Sequence, residues 1–245
     1  MFRPPMPGTE GVHLGFAEKI VTPAESCVRF LKLSFTEAAV IEPMGVAYDL
    51  FKTTDICVGD DVLVMGIGTI GLLALRLARL AGARKIYAAN NSGRDMRDAI
   101  AREWGADEII HTDKTPLTEI SFERNGIDKA LVTAPPSTLQ DVMYCMNYGG
   151  VIGLIGITEG NRGAKAEERT PIDMKWFHDK KLQLRASNAS PAMCFPACID
   201  LCESGMVDIS RLISHELKME TFKADFMKYI DEKTKAVKAV MTKHI

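Results

Sequence analysis

DVLVMGIGTIGLLALRLARLAGARKIYAA, residues 61–89, joins a short apolar run to three glycines spaced G-x-G-x-x-G, an amphipathic stretch and a second apolar run. Val62 to Met65 read as a buried parallel strand. Gly66, Gly68 and Gly71 then fall where a tight turn, a close backbone approach to phosphate and close helix packing each exclude a Cβ. The next helix opens with free N–H groups at Thr69 and Ile70, which can seat a nucleotide diphosphate. The same glycine spacing also occurs in turns that bind nothing, so its surroundings decide. Ile70, Leu73, Ala74, Leu77, Ala78 and Ala81 share one helical face, with Arg76 and Arg79 away from its centre. Gly82 stands where a left-handed cap ends the helix, and Lys85 to Ala89 resume an apolar strand, completing a β-α-β unit.

The chain has 245 residues, 47% hydrophobic and 25% charged, enough for one full domain with a large core plus part of another. A net charge of -2 with no long basic run excludes a nucleic-acid footprint. The opening MFRPPMPGTEGVHLGF has no continuous apolar core of a secretory signal, and the apolar stretch from Ile70 to Ala83 carries two arginines and is too short to span a bilayer. The expectation is a cytoplasmic protein with no membrane partner. Six cysteines at 27, 57, 145, 194, 198 and 202 lack the spacing of a disulfide framework.

Beyond the second strand the pattern predicts a helix from Arg94 to Trp104 closed by Gly105, and a third strand from Asp107 to His111. A fourth strand, Asp128 to Ala134, ends at Pro135-Pro136. Helix Ser137 to Met146, the Gly149-Gly150 turn, strand Val151 to Ile157, helix Pro171 to His178 and strand Leu182 to Ser187 follow. Strands alternating with helices imply an α/β fold, a Rossmann-type doubly wound six-stranded parallel sheet. Outside it, Ala17 to Thr22 and Ala236 to Met241 read as strands, and Met193 to Ser204 and Thr221 to Asp231 as helices. Ser34 and Glu37 form a capping box opening one helix from Phe35 to Phe51.

The stretches GFAEKIVTPAESC, FTEAAVIEPMGVA, VGDDVLVMGIGTIGLLALRLARLAGARKIYAANN, WGADEIIHTD, YGGVIGLIGI and GMVDISRLISHELKMETFKADF together resemble the medium-chain dehydrogenases, the zinc-type alcohol and polyol dehydrogenase family, in family order. That resemblance implies three parts: residues 1–50 as a remnant of a GroES-like catalytic domain and linker helix, 51–190 as the dinucleotide-binding domain, and 191–245 as a segment returning to the catalytic domain. It implies hydride transfer between a nicotinamide cofactor and an alcohol, polyol or sugar CH–OH group, zinc as the metal in complete relatives, and a homo-oligomer. The Cys ligand and Gly-His-Glu motif of such relatives do not occur in this sequence, so the alternative is a catalytically inactive dinucleotide-binding module or partner subunit. Glu42, in a Glu-Pro motif similar to the polyol and sugar branch, is the remaining candidate for a catalytic and metal-side residue; the other reading makes it a surface carboxylate on its helix.

In this fold an acid at the end of the second strand usually grips the NAD ribose and repels a 2′-phosphate. Asn90 stands there instead, followed by Ser92 and Arg94, a hydroxyl and a guanidinium suited to a phosphate monoester. The expectation is NADP, with NAD as the alternative. By resemblance, Thr133 and Ala134 lie near the nicotinamide ribose, and Gly156 and Ile157 near the nicotinamide face. Cys194, Cys198 and Cys202 recur along one helical stripe and read as packing residues, because no fourth ligand joins them. Trp104, Met174 and Trp176 also read as packing residues, His111 as a surface histidine, and His215 as either a packing residue or a distant cofactor or interface contact.

Overall fold

A computed structural model describes residues 21–155, 170–188, 191–232 and 234–242. Its centre is β1 (Asp61–Met65), buried at every position as a parallel strand flanked on both sides must be. From it α3 (Thr69–Leu80) leads to β2 (Lys85–Asn90), α4 (Asp95–Glu103) to β3 (Glu108–His111), and β4 (Ile127–Val132), α5 (Leu139–Cys145), β5 (Met146–Leu154), α6 (Met174–Asp179) and β6 (Gln183–Ala186) complete the unit. The six strands lie in the order β3-β2-β1-β4-β5-β6, and every pair is parallel. That is the doubly wound arrangement the alternation of strands and helices predicts.

Side chains of β1 alternate between two apolar cores, because successive Cβ atoms leave opposite faces of a strand. Val62 and Val64 join the core under α3, α4, α7 (Phe195–Glu203) and α2 (Ile41–Thr54). Leu63 and Met65 join the core under α5 and the half-buried Trp176 and Phe177 of α6. The expected cap of α3 is present, with Gly82 at φ +91° just beyond the helix.

Five expectations need correction. The helix drawn from Phe35 to Phe51 is two, α1 (Phe35–Ala38) and α2, broken at Ala39 and Val40. Pro43 supplies the reason: in one continuous helix its ring would meet the Ala39 carbonyl and leave it without an N–H, whereas in the first turn of α2 proline is tolerated. The capping box holds, with Glu37 N–H donating to Ser34 Oγ at 3.2 Å and Ser34 N–H to Glu37 Oε2 at 2.7 Å. Met174 is 61% exposed rather than packed, while Trp104 is buried. Two further strands lie beyond the main sheet, β7 (Ile213–Lys218) and β8 (Lys238–Thr242), paired in parallel beside α8 (Phe222–Asp231); β7 was not expected. His111 is not a plain surface residue, since its Nε2 lies 2.8 Å from the buried Asp98 carboxylate. Val21 and Thr22 are not in a strand, and 17–20 lie outside the described residues, as does the end of the fifth strand expected at Gly156 and Ile157.

Candidate cofactor-binding cleft

Each glycine between β1 and α3 answers a different constraint. Gly66 turns the chain at φ +94°, and a Cβ there would stand 2.9 Å from both the Ala134 nitrogen and Thr133 Oγ1. Gly71 lies against the turn itself, where a Cβ would fall 1.8 Å from the Gly66 carbonyl oxygen. Gly68 is the opposite case, with nothing within 4 Å of its would-be Cβ, so bare backbone faces open space. It also caps α3 with no side-chain hydrogen bond. The first α3 amide to return to the helix is Leu72 N–H, donating to the Gly68 carbonyl at 2.9 Å. Among the described residues the amides of Thr69, Ile70 and Gly71 are the helix's open donors, and the dipole of a 12-residue helix adds positive potential at the same place.

The loop is braced from the neighbouring strand. Thr133 Oγ1 donates to the Gly66 carbonyl at 2.6 Å, and the Thr133 and Ala134 amides both donate to the Met65 carbonyl, at 2.8 and 3.0 Å. Those two amides are therefore committed to the fold. Thr69 Oγ1 reaches the other way and donates to the Val237 carbonyl at 3.1 Å, tying the start of α3 to the residues before β8.

These residues bound a cleft of about 630 Å³ at the carboxyl ends of the strands, where ligands of such sheets sit. Gly66, Gly68, Thr69, Ile70, Gly71, Asn90, Thr133 and Ala134 all line it. Ser92, Arg94 and Glu42 are not among its lining residues, and Gly156 and Ile157 fall outside the described residues. Val46, Asn91, Arg97, Thr112, Pro135, Thr138 and Ile155 line it as well and were not anticipated. Ile155 directly follows β5 and could have been found by the same strand-end logic. Val46 stands one helical turn beyond Glu42 on α2. Arg97 has no local signature, since only the docking of α4 brings it to the cleft.

In the cleft lining Asn90 Nδ2 is buried and has no hydrogen-bond partner among the described residues. An orphaned donor of this kind costs free energy until a ligand acceptor meets it. Ser92 is already engaged, its N–H donating to Asp113 Oδ1 at 2.7 Å and its Oγ to Oδ2 at 2.6 Å. Those bonds hold the Asp113 carboxyl below the usual carboxylate range. The open Gly68 cradle, the free amides and the orphaned Asn90 donor together fit a dinucleotide.

A catalytic metal fits less well. Glu42 is exposed in the first turn of α2. Among the described residues no group of three or more His, Cys, Asp or Glu side chains is arranged to hold a metal ion. Cys198 and Cys202 are buried in the core beside α2, which pushes their thiols up to about 12, as expected of protonated packing residues. His215 is half-buried between Ser214 Oγ, Glu232 Oε2 and the Tyr229 ring, away from the cleft's lining.

Comparison with known proteins agrees with this fold. The L-threonine 3-dehydrogenase of Anaeromyxobacter sp. (strain K) is 29% identical over 217 residues, 86% of this chain and 59% of the relative. The chain thus spans about three fifths of the length of the curated relatives it matches. A short chain alcohol dehydrogenase from E. coli CFT073, complexed with NADH, superposes with a TM-score of 0.79 at 24% identity, covering 90% of this chain and 64% of the other. A Sinorhizobium meliloti 1021 protein described as a zinc-binding dehydrogenase, bound to NADP, superposes with a TM-score of 0.78 at 23% identity, over 93% and 65%. The family model for zinc-binding dehydrogenases matches residues 69–204, more than half of the sequence, and the chain belongs to that family.

Proposed function

We propose that this chain binds a nicotinamide dinucleotide, NADP rather than NAD, and works as the cofactor-binding part of an oxidoreductase acting on an alcohol, polyol or sugar CH–OH group. The observation that carries the proposal is the set of three glycines, above all Gly68, whose bare backbone opens onto the cleft beside the α3 amides. The Thr69, Ile70 and Gly71 amides hold the diphosphate, charge-assisted donors aimed at oxygens in a fixed geometry. Asn90 Nδ2 takes an oxygen of the adenosine ribose. Thr133 and Ala134 form the wall beside the nicotinamide ribose, and Gly156 and Ile157, outside the described residues, are assigned to the nicotinamide face by resemblance alone. When bound, the nicotinamide supplies the hydride acceptor or donor. The chain's own contribution is to hold that ring in register with a substrate and to exclude water from it.

Residues 1–50 and 191–245 are assigned to a catalytic part that shares this chain with the central dinucleotide-binding unit. Glu42 is assigned to the substrate side of the cleft, one turn from Val46, where a carboxylate orients an alcohol. The described residues offer no ligand set for zinc. That observation also supports a second reading, a module that binds cofactor without turning substrate over. β6 is one of the two outer strands of the sheet, and its far edge, unpaired among the described residues, is the place for a second copy. Among the described residues no helix is long and apolar enough to cross a membrane, and the chain is assigned to the cytoplasm. Titration with NADPH and NADH, followed by alcohol oxidation with added zinc, tests all of this. Binding with turnover supports the enzyme, binding alone supports the module, and no binding refutes both.

A further inference from the structure

His215 lies on β7 at the break in register of the β7–β8 pair. Ile213 faces Lys238 and His215 faces Ala239, so Ser214 is an extra residue with no partner of its own on β8, as in a bulge. Its side chain stands in for the missing ladder bonds: Ser214 Oγ accepts the Val237 N–H at 3.0 Å and lies 3.1 Å from the Lys238 carbonyl. The same oxygen is 2.9 Å from His215 Nδ1, while His215 Nε2 is 3.2 Å from Glu232 Oε2, just past α8. The ring packs edge-on against Tyr229 and its side chain is 12% exposed, which leaves little room for water to replace these partners.

A serine hydroxyl has one proton to give, and here two acceptors compete for it, the Lys238 carbonyl and a neutral His215 Nδ1. Neutral His215, its own proton on Nε2 for Glu232, takes the hydroxyl proton and leaves Lys238 without it. Protonated His215 donates at both nitrogens, to Ser214 Oγ and to Glu232, and the hydroxyl turns to Lys238, so every bond of the cluster is made at once. The bond from His215 holds the Glu232 carboxyl below the usual carboxylate range, which keeps it ionised at pH 6 and above. The other charged or titratable groups around the ring are Tyr229 on α8, Lys228 and Lys235, which attract Glu232, and Arg97 on α4, which interacts with Tyr229. Residues 234–237 in turn accept hydrogen bonds from Met96 and Arg97 in the first turn of α4 and from Thr69 at the start of α3. Resting on the cofactor reading above for its effect on a ligand, we infer that His215 is a proton-operated latch: as an imidazolium it fixes residues 234–238 against the openings of α3 and α4, and on losing its proton it frees them and weakens the hold of the cleft on a dinucleotide. The stabilisation is present at low pH and is lost as the pH rises through the range in which histidines titrate, about pH 5 to 8.

The test uses the whole 245-residue chain at pH 6 and pH 8. Wild type is compared with His215→Gln, whose amide can still donate to Glu232 but never takes up a proton, and with Glu232→Gln. Amide-exchange protection factors, which already allow for the intrinsic pH dependence of exchange, are read at Val237 and Met96, and calorimetry reads the affinity for NADP+. Wild-type protection at both amides should fall about 5- to 10-fold from pH 6 to pH 8, against less than about twofold in H215Q. The ratio of wild-type to H215Q affinity for NADP+, in which the titration of the ligand and of the other histidines cancels, should fall by about threefold or more over the same interval. Should H215Q fail to fold, E232Q alone decides, with a pH response less than about half that of wild type. A difference between wild type and H215Q that is the same at both pH values would show that the ring only packs against Tyr229, and would overturn the inference. Protection that responds to pH beside an NADP+ affinity ratio that does not overturns the coupling to the cleft. A chain that binds no NADP+ at either pH removes the cofactor assignment, and protection at Val237 then decides the latch by itself.

Discussion

Gly68 and Gly71 stand three residues apart in one motif, yet adding the same methyl group to each should break different things. At Gly71 the new Cβ would sit 1.8 Å from the Gly66 carbonyl oxygen and 2.9 Å from its carbon, and both are backbone atoms that cannot rotate away. Ordinary contact needs about 3.4 Å or more, so α3 must shift by about 1.5 Å relative to β1. Overpacking of that order costs about 3 kcal/mol or more. In a chain of this size that corresponds to a drop in Tm of about 6–12 °C. At Gly68 the Cβ meets nothing, and the residue is already extended at φ -72°, so Gly68→Ala loses only part of a helix cap, about 0.5–1 kcal/mol. The same methyl projects into the space claimed for the diphosphate and should weaken NADPH binding by at least about 10-fold through lost charge-assisted hydrogen bonds. Thermal melts followed by circular dichroism and fluorescence titration with NADPH read the two effects separately. A G71A protein that melts within about 2 °C of wild type would refute the packing argument. A G68A protein with unchanged affinity would remove the diphosphate from the cleft.

Asn90→Asp restores an acceptor and a negative charge at the end of β2 and should move the NADPH-to-NADH affinity ratio toward NADH by about 10- to 100-fold; an unchanged ratio shows that Asn90 does not meet the ribose. Thr69→Val removes one of two hydroxyl donors to the Val237 carbonyl, the other being Tyr229 at 3.3 Å. It should cost about 0.5–1.5 kcal/mol and speed amide exchange across β8, and exchange that stays at the wild-type rate would contradict it. Burial holds the thiols of Cys145, Cys198 and Cys202 up at about 12, above the ordinary value of 9.0 found in the unfolded chain. Only the unfolded chain can ionise them as pH rises past 9, so their contribution is constant below that point and stability falls above it. Urea midpoints at pH 8 and 10, compared between wild type and the Cys198→Ala, Cys202→Ala double variant, should show a smaller fall in the variant. At pH 8 the exposed Cys27 and Cys57 should react with a thiol reagent while these three wait for unfolding.

The unit from β1 to β2 was legible because each residue type there has a single use: glycine where a Cβ collides or blocks, leucine and alanine on one helical face, β1 apolar from Val62 to Met65. Less local features were not. β7 reads ISHELK, and only Leu217 of it is buried, so the alternation that marks a strand is absent and its pairing with β8 does the work instead. The break before α2 was encoded in Pro43, whose effect falls four residues upstream where the capping box draws attention away from it. Ser92 reads as a spare hydroxyl until the strand order brings Asp113 beside it, 21 positions along the chain. Arg97 depends on the backbone of Ala236, 139 positions distant, and no window of sequence contains both.

The run from Thr234 to Val237 offers three consecutive-region carbonyls to the core: Thr234 to the Met96 amide, Ala236 to Arg97, Val237 to Thr69. All three donors belong to the opening turns of α3 and α4, where the coenzyme's charged groups are expected. The tail therefore behaves as a clasp, and whatever loosens it, proteolysis or a cut near residue 233, should be felt first as leakage of the nucleotide and only later as loss of the sheet.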